Sequence, residues 1–119
     1  MSRIALVAAG LVAALALAAP IGATSSVTKL NGTVGPGFTI VLKKGTAKVK
    51  TLKAGKYMIT VNDKSNIHDF HLKGPGVNKV ITATSFKGTK TVTVTLKKGK
   101  YTYVCDPHAT VMKGSFTVK

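Results

Sequence analysis

Apolar and polar side chains alternate along most of the chain after residue 23. The clearest stretch is 91–96, where Val92, Val94 and Leu96 alternate with threonines. Because successive side chains of a strand point to opposite faces, the aliphatic row is predicted to line a core and the threonine row to face solvent. No segment of this region has the period of a helix.

Seven segments carry strand patterns of this kind. Each is short, rich in Val, Thr, Ile and aromatic residues, and bounded by Gly, Lys-Gly or Gly-Pro turns. They cover residues 33–42, 47–52, 57–63, 68–72, 90–96, 101–105 and 115–119. Short strands that recur about every ten residues indicate an antiparallel all-β domain. We therefore predict a single domain with a Greek-key β-sandwich fold of about seven to eight strands.

The first 23 residues instead have the composition of a secretory signal. Arg3 supplies a positive charge, residues 4–19 are apolar, and residues 20–23 are mostly small. We predict cleavage after Ala23, export to the periplasm, the cell exterior or the outer face of a membrane, and a folded domain over 24–119. An uncleaved membrane anchor over 1–23 is the alternative.

The charge of the chain is strongly positive. It has 18 Lys and Arg against 3 acidic residues, for a net charge of +15. Such a surface is expected to attract a redox protein with an acidic docking surface, or an anionic membrane or cell wall. The lysines are spread over strands and turns and form no recognition helix, so nucleic-acid binding is not expected. We expect a monomer.

The only cysteine of the chain begins a C-x2-H-x3-M run. Cys105, His108 and Met112 offer a thiolate, an imidazole and a thioether. With a second imidazole, these groups make up the ligand set of a blue-copper electron-transfer centre. Metal ligation would also explain a lone thiol in an exported protein. Only His68 or His71 can supply the second imidazole.

Strand alternation separates these two histidines. Within 68–72, His68 shares a face with the apolar Phe70, whereas Asp69 and His71 share the other face. We therefore predict that His68 is the buried ligand and that His71 is an exposed polar residue. Asp69 either lies buried near the metal or is turned to solvent by the alternation. One copper ion per chain is expected.

A similar argument applies to the strand that leads into the C-x2-H-x3-M run. Tyr101, Tyr103 and Cys105 share one face of 101–105, and we predict that this face is the inner one because a reactive thiolate needs shielding. The Tyr101 hydroxyl is then expected to bond to backbone at a sheet corner.

The chain resembles the cupredoxins, the plastocyanin and azurin group, through its loop CDPHATVM and the segments GPGFTIVLKKG, IHDFHLKGPGV, KTVTVTLKKGKYTYV and KGSFTV. The resemblance implies a copper site whose four ligands are His68, Cys105, His108 and Met112. It also implies that Pro107, which has no N–H, limits hydrogen bonding to the thiolate. Asp69 stands where plastocyanins usually have Asn, and Phe70 follows it beside the site. The interval from His108 to Met112 is one residue shorter than in plastocyanin.

These observations predict a carrier that moves one electron by Cu(I)/Cu(II) cycling outside the cytoplasm. An enzyme is not expected, because the chain lacks paired carboxylates for acid–base chemistry and Cys105 beside His108 has no third group or oxyanion donors. The first alternative is a copper storage or delivery protein outside the cytoplasm. The second is a basic module that binds an anionic surface.

Overall fold

Ten strands succeed one another in residues 26–119, the part of the chain that the computed structural model describes. They are β1 Thr28–Val34, β2 Ile40–Lys44, β3 Ala47–Lys48, β4 Thr51–Leu52, β5 Gly55–Asp63, β6 Phe70–Gly74, β7 Val77–Thr82, β8 Gly88–Leu96, β9 Gly99–Val104 and β10 Lys113–Val118. One five-stranded sheet has the order β3-β2-β1-β5-β8 and the other has the order β4-β10-β9-β6-β7. The predicted β-sandwich is confirmed, while the predicted signal segment 1–23 lies outside the described residues.

The expectation of purely antiparallel pairing is wrong. β1 pairs with β5 in parallel, and β4 pairs with β10 in parallel, while the other pairs are antiparallel. Parallel pairing arises because the chain leaves the first sheet after β3, adds β4 to the second sheet, and returns beside β1 from the end at which β1 began. A parallel pair needs a long connection of this kind and cannot be made by a tight turn.

The strand boundaries also differ from the prediction. Segment 47–52 is split into β3 and β4, which belong to different sheets, and the strand predicted over 68–72 begins at Phe70. Segment 33–42 contains the end of β1, a turn, and the start of β2, so it is a hairpin and not one strand. β7 was not predicted because it is an edge strand in which only Ile81 and Thr82 are buried, which leaves no clear alternation to detect.

The core lies between the two sheets and follows the predicted rows. The first sheet contributes the alternating residues of β5 and β8, and the second contributes the aromatic row of β9 and the last apolar residues of β10. The buried members of these rows are Tyr57, Ile59, Val61, Val94, Leu96, Tyr101, Tyr103, Phe116 and Val118. Val92 is partly buried against them. The inward faces predicted from alternation are therefore confirmed.

Close packing fixes the two tyrosines of β9. The Tyr101 ring lies against the backbone of Gly74, and the Tyr103 ring lies against Gly114, so an added methyl group at either glycine would collide with a ring. The Tyr101 hydroxyl donates to the carbonyl of Pro75 at 2.6 Å and accepts from the backbone N–H of Lys97 at 2.9 Å. The predicted corner is confirmed, and it joins two turns at one end of the sandwich.

Three connections meet at the opposite end of the sandwich. They are 35–39 between β1 and β2, 64–69 between β5 and β6, and 105–112 between β9 and β10. We call this the Cys105 end. The helical structure described there is the single 3-10 turn Asp106–His108. Within residues 26–119, no helix is both long and apolar enough to cross a membrane.

Candidate metal centre

Backbone hydrogen bonds close the loop 105–112 on itself. The N–H of Cys105 donates to the carbonyl of Met112 at 3.0 Å, and the N–H of Met112 donates to the carbonyl of His108 at 2.8 Å. The N–H of His108 donates back to the carbonyl of Cys105 at 3.0 Å, which forms the 3-10 turn with Pro107 in its first turn. The flanking strands β9 and β10 pair directly, so both ends of the loop are held by the sheet.

His68 reaches this loop from the connection before β6. Its exposed fraction is 1%, as predicted, but it precedes the strand, which begins at Phe70. The next residue holds it in place, since the backbone N–H of Asp69 donates to the Sγ atom of Cys105 at 3.4 Å. β6 and β9 are neighbours in the sheet, which brings the two segments together.

The Sγ atom of Cys105 and the Nδ1 atoms of His68 and His108 form a small triangle. The two nitrogens are 3.1 Å apart, and the sulfur lies 3.6 Å from His68 Nδ1 and 3.5 Å from His108 Nδ1. A point equidistant from the three atoms lies about 2 Å from each, close to the length of metal–imidazole and metal–thiolate bonds. A thiolate with two imidazoles is a donor set suited to copper, so these residues fit the ion that the sequence predicts.

Met112 is fully buried at the far end of the same loop. Its backbone bond to Cys105 keeps it beside the triangle, in an apolar setting that suits a weak thioether ligand. Its role as the fourth ligand stays a prediction.

His71 lies outside the triangle. Its Nδ1 atom is 2.8 Å from a carboxylate oxygen of Asp106, and its Nε2 atom contacts the side-chain oxygen of Asn78. Its side chain is only 14% exposed, so the prediction of an exposed residue is wrong. Both ring nitrogens of His71 are therefore engaged by residues outside the triangle.

Asp69 is buried beside the site, which decides between the two alternatives that the sequence left open. The residue is 3% exposed, and its Oδ1 atom accepts a hydrogen bond from the backbone N–H of Asp106 at 2.6 Å. Burial, together with the neighbouring Asp106 carboxyl group, raises the pKa of Asp69 to about 6. The hydrogen bond with the Asp69 side chain lowers the pKa of Asp106. Strand alternation does not apply to Asp69, because β6 begins at Phe70, two residues later than predicted, and Asp69 lies in the connection before the strand.

The thiol of Cys105 is sealed from solvent. Burial raises its pKa, so the neutral thiol is favoured until a cation is bound. Around the sulfur, the backbone N–H of Asp69 is a hydrogen-bond donor, while Pro107 has no N–H to offer. Phe70 is fully buried and stacks on Tyr103 at a centroid distance of 5.5 Å, which packs the inner side of the site.

Phe38 covers the histidine pair from outside. Its ring meets the His108 ring edge to face at 4.9 Å and the His68 ring at 5.8 Å, although 60% of Phe38 is exposed. The sequence analysis missed this residue. Its signal was an aromatic side chain directly after Gly-Pro-Gly, where a turn alone would favour a polar residue. Ile67 and Val111 are also exposed at this end, which gives the half-buried His108 an apolar surround.

Comparisons with known proteins agree with this geometry. Residues 39–119 match the family model described as copper binding proteins, plastocyanin/azurin family. The chain is also similar in structure to rusticyanin from Thiobacillus ferrooxidans, with 26% identity, 76% of each chain covered and a TM-score of 0.53. A methionine-to-glutamine variant of rusticyanin gives 26% identity, 76% coverage of each chain and a TM-score of 0.56. Reduced rusticyanin gives 26% identity, coverage of 76% of this chain and 78% of that one, and a TM-score of 0.51. A search of curated proteins finds no match.

Proposed function

This chain belongs to the plastocyanin/azurin family of copper-binding proteins, and we propose that the ion bound by His68, Cys105, His108 and Met112 transfers one electron at a time. We also propose that the protein works outside the cytoplasm. The protein is a type 1 copper electron-transfer protein that binds one copper per chain. The apolar run 4–19 and the mostly small residues 20–23 that follow it, which are typical of a secretory signal, support export.

The observation that carries the proposal is the triangle of one sulfur and two nitrogens. Copper, when bound, supplies reversible one-electron chemistry. The chain supplies the geometry, because β9, the closed loop 105–112 and the Asp69 contact hold the three donors in place. A site that the fold holds rigidly needs little rearrangement when its charge changes, which favours fast electron transfer.

His108 is the proposed point of electron entry and exit. It is half-buried, whereas His68 and Cys105 are sealed inside, so its ring edge is the shortest route from the site to a partner. The exposed apolar side chains of Phe38 and Val111 lie at the same end, and a redox protein that binds there can displace water from this surface. The positive charge of the chain favours a partner with acidic groups.

We do not propose a reaction on a bound substrate. The three donor atoms face one another and leave no group directed at a substrate. The acidic residues are not placed for acid–base chemistry there, because Asp63 is buried and the Asp69 carboxylate accepts a hydrogen bond from the backbone of Asp106. Family membership supports a carrier role.

Copper loading and a redox titration test the proposal together. The purified protein given Cu(II) should develop an intense visible thiolate-to-copper absorption band, and Cys105→Ser should abolish it. His71→Ala is the matched control, because it changes a nearby imidazole outside the triangle and should keep the band. The band should bleach and return over repeated one-electron cycles with copper retained.

Two outcomes would contradict the proposal. A colourless protein that prefers zinc would remove the copper site. Rapid loss of Cu(I) to a chelating acceptor after reduction would indicate copper delivery and not electron transfer.

A further inference from the structure

Charge is distributed very unevenly between the two ends of the sandwich. The three acidic side chains of the chain all lie at the Cys105 end: Asp63 ends β5, Asp69 precedes β6, and Asp106 follows β9. The opposite end carries turns rich in lysine. Lys64, Lys87 and Lys90 also lie at the Cys105 end, but the net positive charge is higher at the opposite end.

We define the lysine end as seven exposed lysines on three turns and the carboxy terminus. They are Lys44, Lys53, Lys56, Lys97, Lys98, Lys100 and Lys119. Strand pairing makes them one surface, since Gly55 pairs with Leu96 and Gly99 pairs with Val118. Four of them line a shallow hollow together with Thr28.

The chain also enters the domain at this end. β1 starts at Thr28, which pairs with Tyr57 near the beginning of β5 and lines the same hollow. The sequence that precedes it contains the apolar run 4–19. Residues 20–27 can span at most about 30 Å even when fully extended. The chain therefore joins the domain to this preceding segment at the lysine end.

We propose that the lysine end docks on the surface of an anionic lipid bilayer, with the Cys105 end pointing away from it. An anionic bilayer attracts clustered lysines, at about fivefold in affinity per lysine, whether the apolar run is cleaved or retained as an anchor. Among residues 26–119, none of the exposed large apolar side chains lies at the lysine end. This disfavours a specific protein interface there. This inference concerns orientation and does not depend on the copper chemistry.

The orientation leaves the metal centre free for a partner. β5 runs from one end of the sandwich to the other in 9 residues, which corresponds to about 25–30 Å between the docking surface and the Cys105 end. That separation is about three Debye lengths at physiological salt. The membrane and a redox partner can therefore bind at the same time.

Site-resolved labelling of lysines tests the orientation on the full chain. The protein is mixed with vesicles of phosphatidylcholine alone or of phosphatidylcholine with phosphatidylglycerol, treated with a water-soluble amine reagent, and read by mass spectrometry. On the anionic vesicles the lysine end should be protected, while Lys64 and Lys87 at the Cys105 end should stay reactive. Because the apolar run can associate with either vesicle, the comparison isolates the effect of lipid charge. Salt at about 1 M should remove the protection.

Two matched triple variants sharpen the result. Replacing Lys53, Lys56 and Lys98 by Gln should lower the ratio of docked to undocked protein by roughly 100-fold, seen as renewed labelling of the remaining lysines of that end. The control replaces Lys64, Lys87 and Lys90 by Gln, which removes the same charge near the Cys105 end and should leave the protection unchanged.

Three outcomes would overturn the proposal. Equal labelling on both vesicles would mean that lipid charge does not orient the domain, and an acidic protein or wall polymer would then be the better occupant. Protection of Lys64 and Lys87 would reverse the orientation. Equal loss of protection in the two triple variants would show that total charge, and not the lysine end, governs docking.

Discussion

Removing the Phe38 ring should weaken the fold and open the metal centre to water. About two-fifths of the residue is covered, mainly by the two histidine rings that it meets edge to face. A fully buried aromatic side chain covers about 150–250 Å², so roughly 60–100 Å² would be uncovered in Phe38→Ala. At about 25 cal/mol per Å² this area corresponds to about 1.5–2.5 kcal/mol, an upper bound because the unfolded chain also covers some of it.

The same substitution should lower the reduction potential. A site of one thiolate and two neutral imidazoles carries a net positive charge with Cu(II) and no net charge with Cu(I). Water that reaches the histidine rings stabilises the charged oxidised form more, so the potential falls. We expect a decrease of tens of millivolts, up to about 59 mV, which is a tenfold change in a one-electron equilibrium.

Denaturation and redox titration together measure both effects. Phe38→Ala should lower the free energy of unfolding by about 1–2 kcal/mol and Tm by about 5–15 °C. Val111→Ala is the matched control, because it shortens an exposed apolar side chain at the same end and should change either quantity little. Phe38→Leu should restore much of the stability. An unchanged or raised potential in Phe38→Ala would refute the shielding argument.

The other predictions concern single residues around the site. Met112→Leu should keep the colour and raise the potential in a redox titration, because the buried volume is retained while a thioether that stabilises Cu(II) is lost; a colourless variant would contradict this. His71→Ala should still bind one copper per chain in metal analysis. It should lower the free energy of unfolding by about 1–2 kcal/mol because two hydrogen bonds are lost. Loss of copper would instead mean that His71 is the second imidazole ligand. Gly114→Ala should cost about 1–3 kcal/mol in urea unfolding because its methyl group meets the Tyr103 ring, whereas Ser115→Ala on the exposed face should be near neutral.

The sequence by itself determined the features that depend on near neighbours. A period of two fixed the inward rows of β5, β8, β9 and β10, because a strand turns each successive side chain to the opposite face. The candidate donors Cys105, His108 and Met112 lie within one short loop, so their spacing was enough to suggest a common site. The burial of His68 was predicted correctly, but alternation with Phe70 does not explain it, because His68 lies before β6 and Asp69 is buried as well.

Tertiary structure alone decided the features that join distant segments. The carboxyl group of Asp69 bonds to the backbone of a residue 37 positions away, and Phe38 meets histidines from two other connections. Local alternation cannot report such contacts, because they depend on which strands pair and on where each strand begins. The parallel pairing of β1 with β5 is of the same kind, and it places the start of the domain at the lysine end. The order of strands in the sheets thus decides how the metal centre, the lysine end and the start of β1 lie relative to one another.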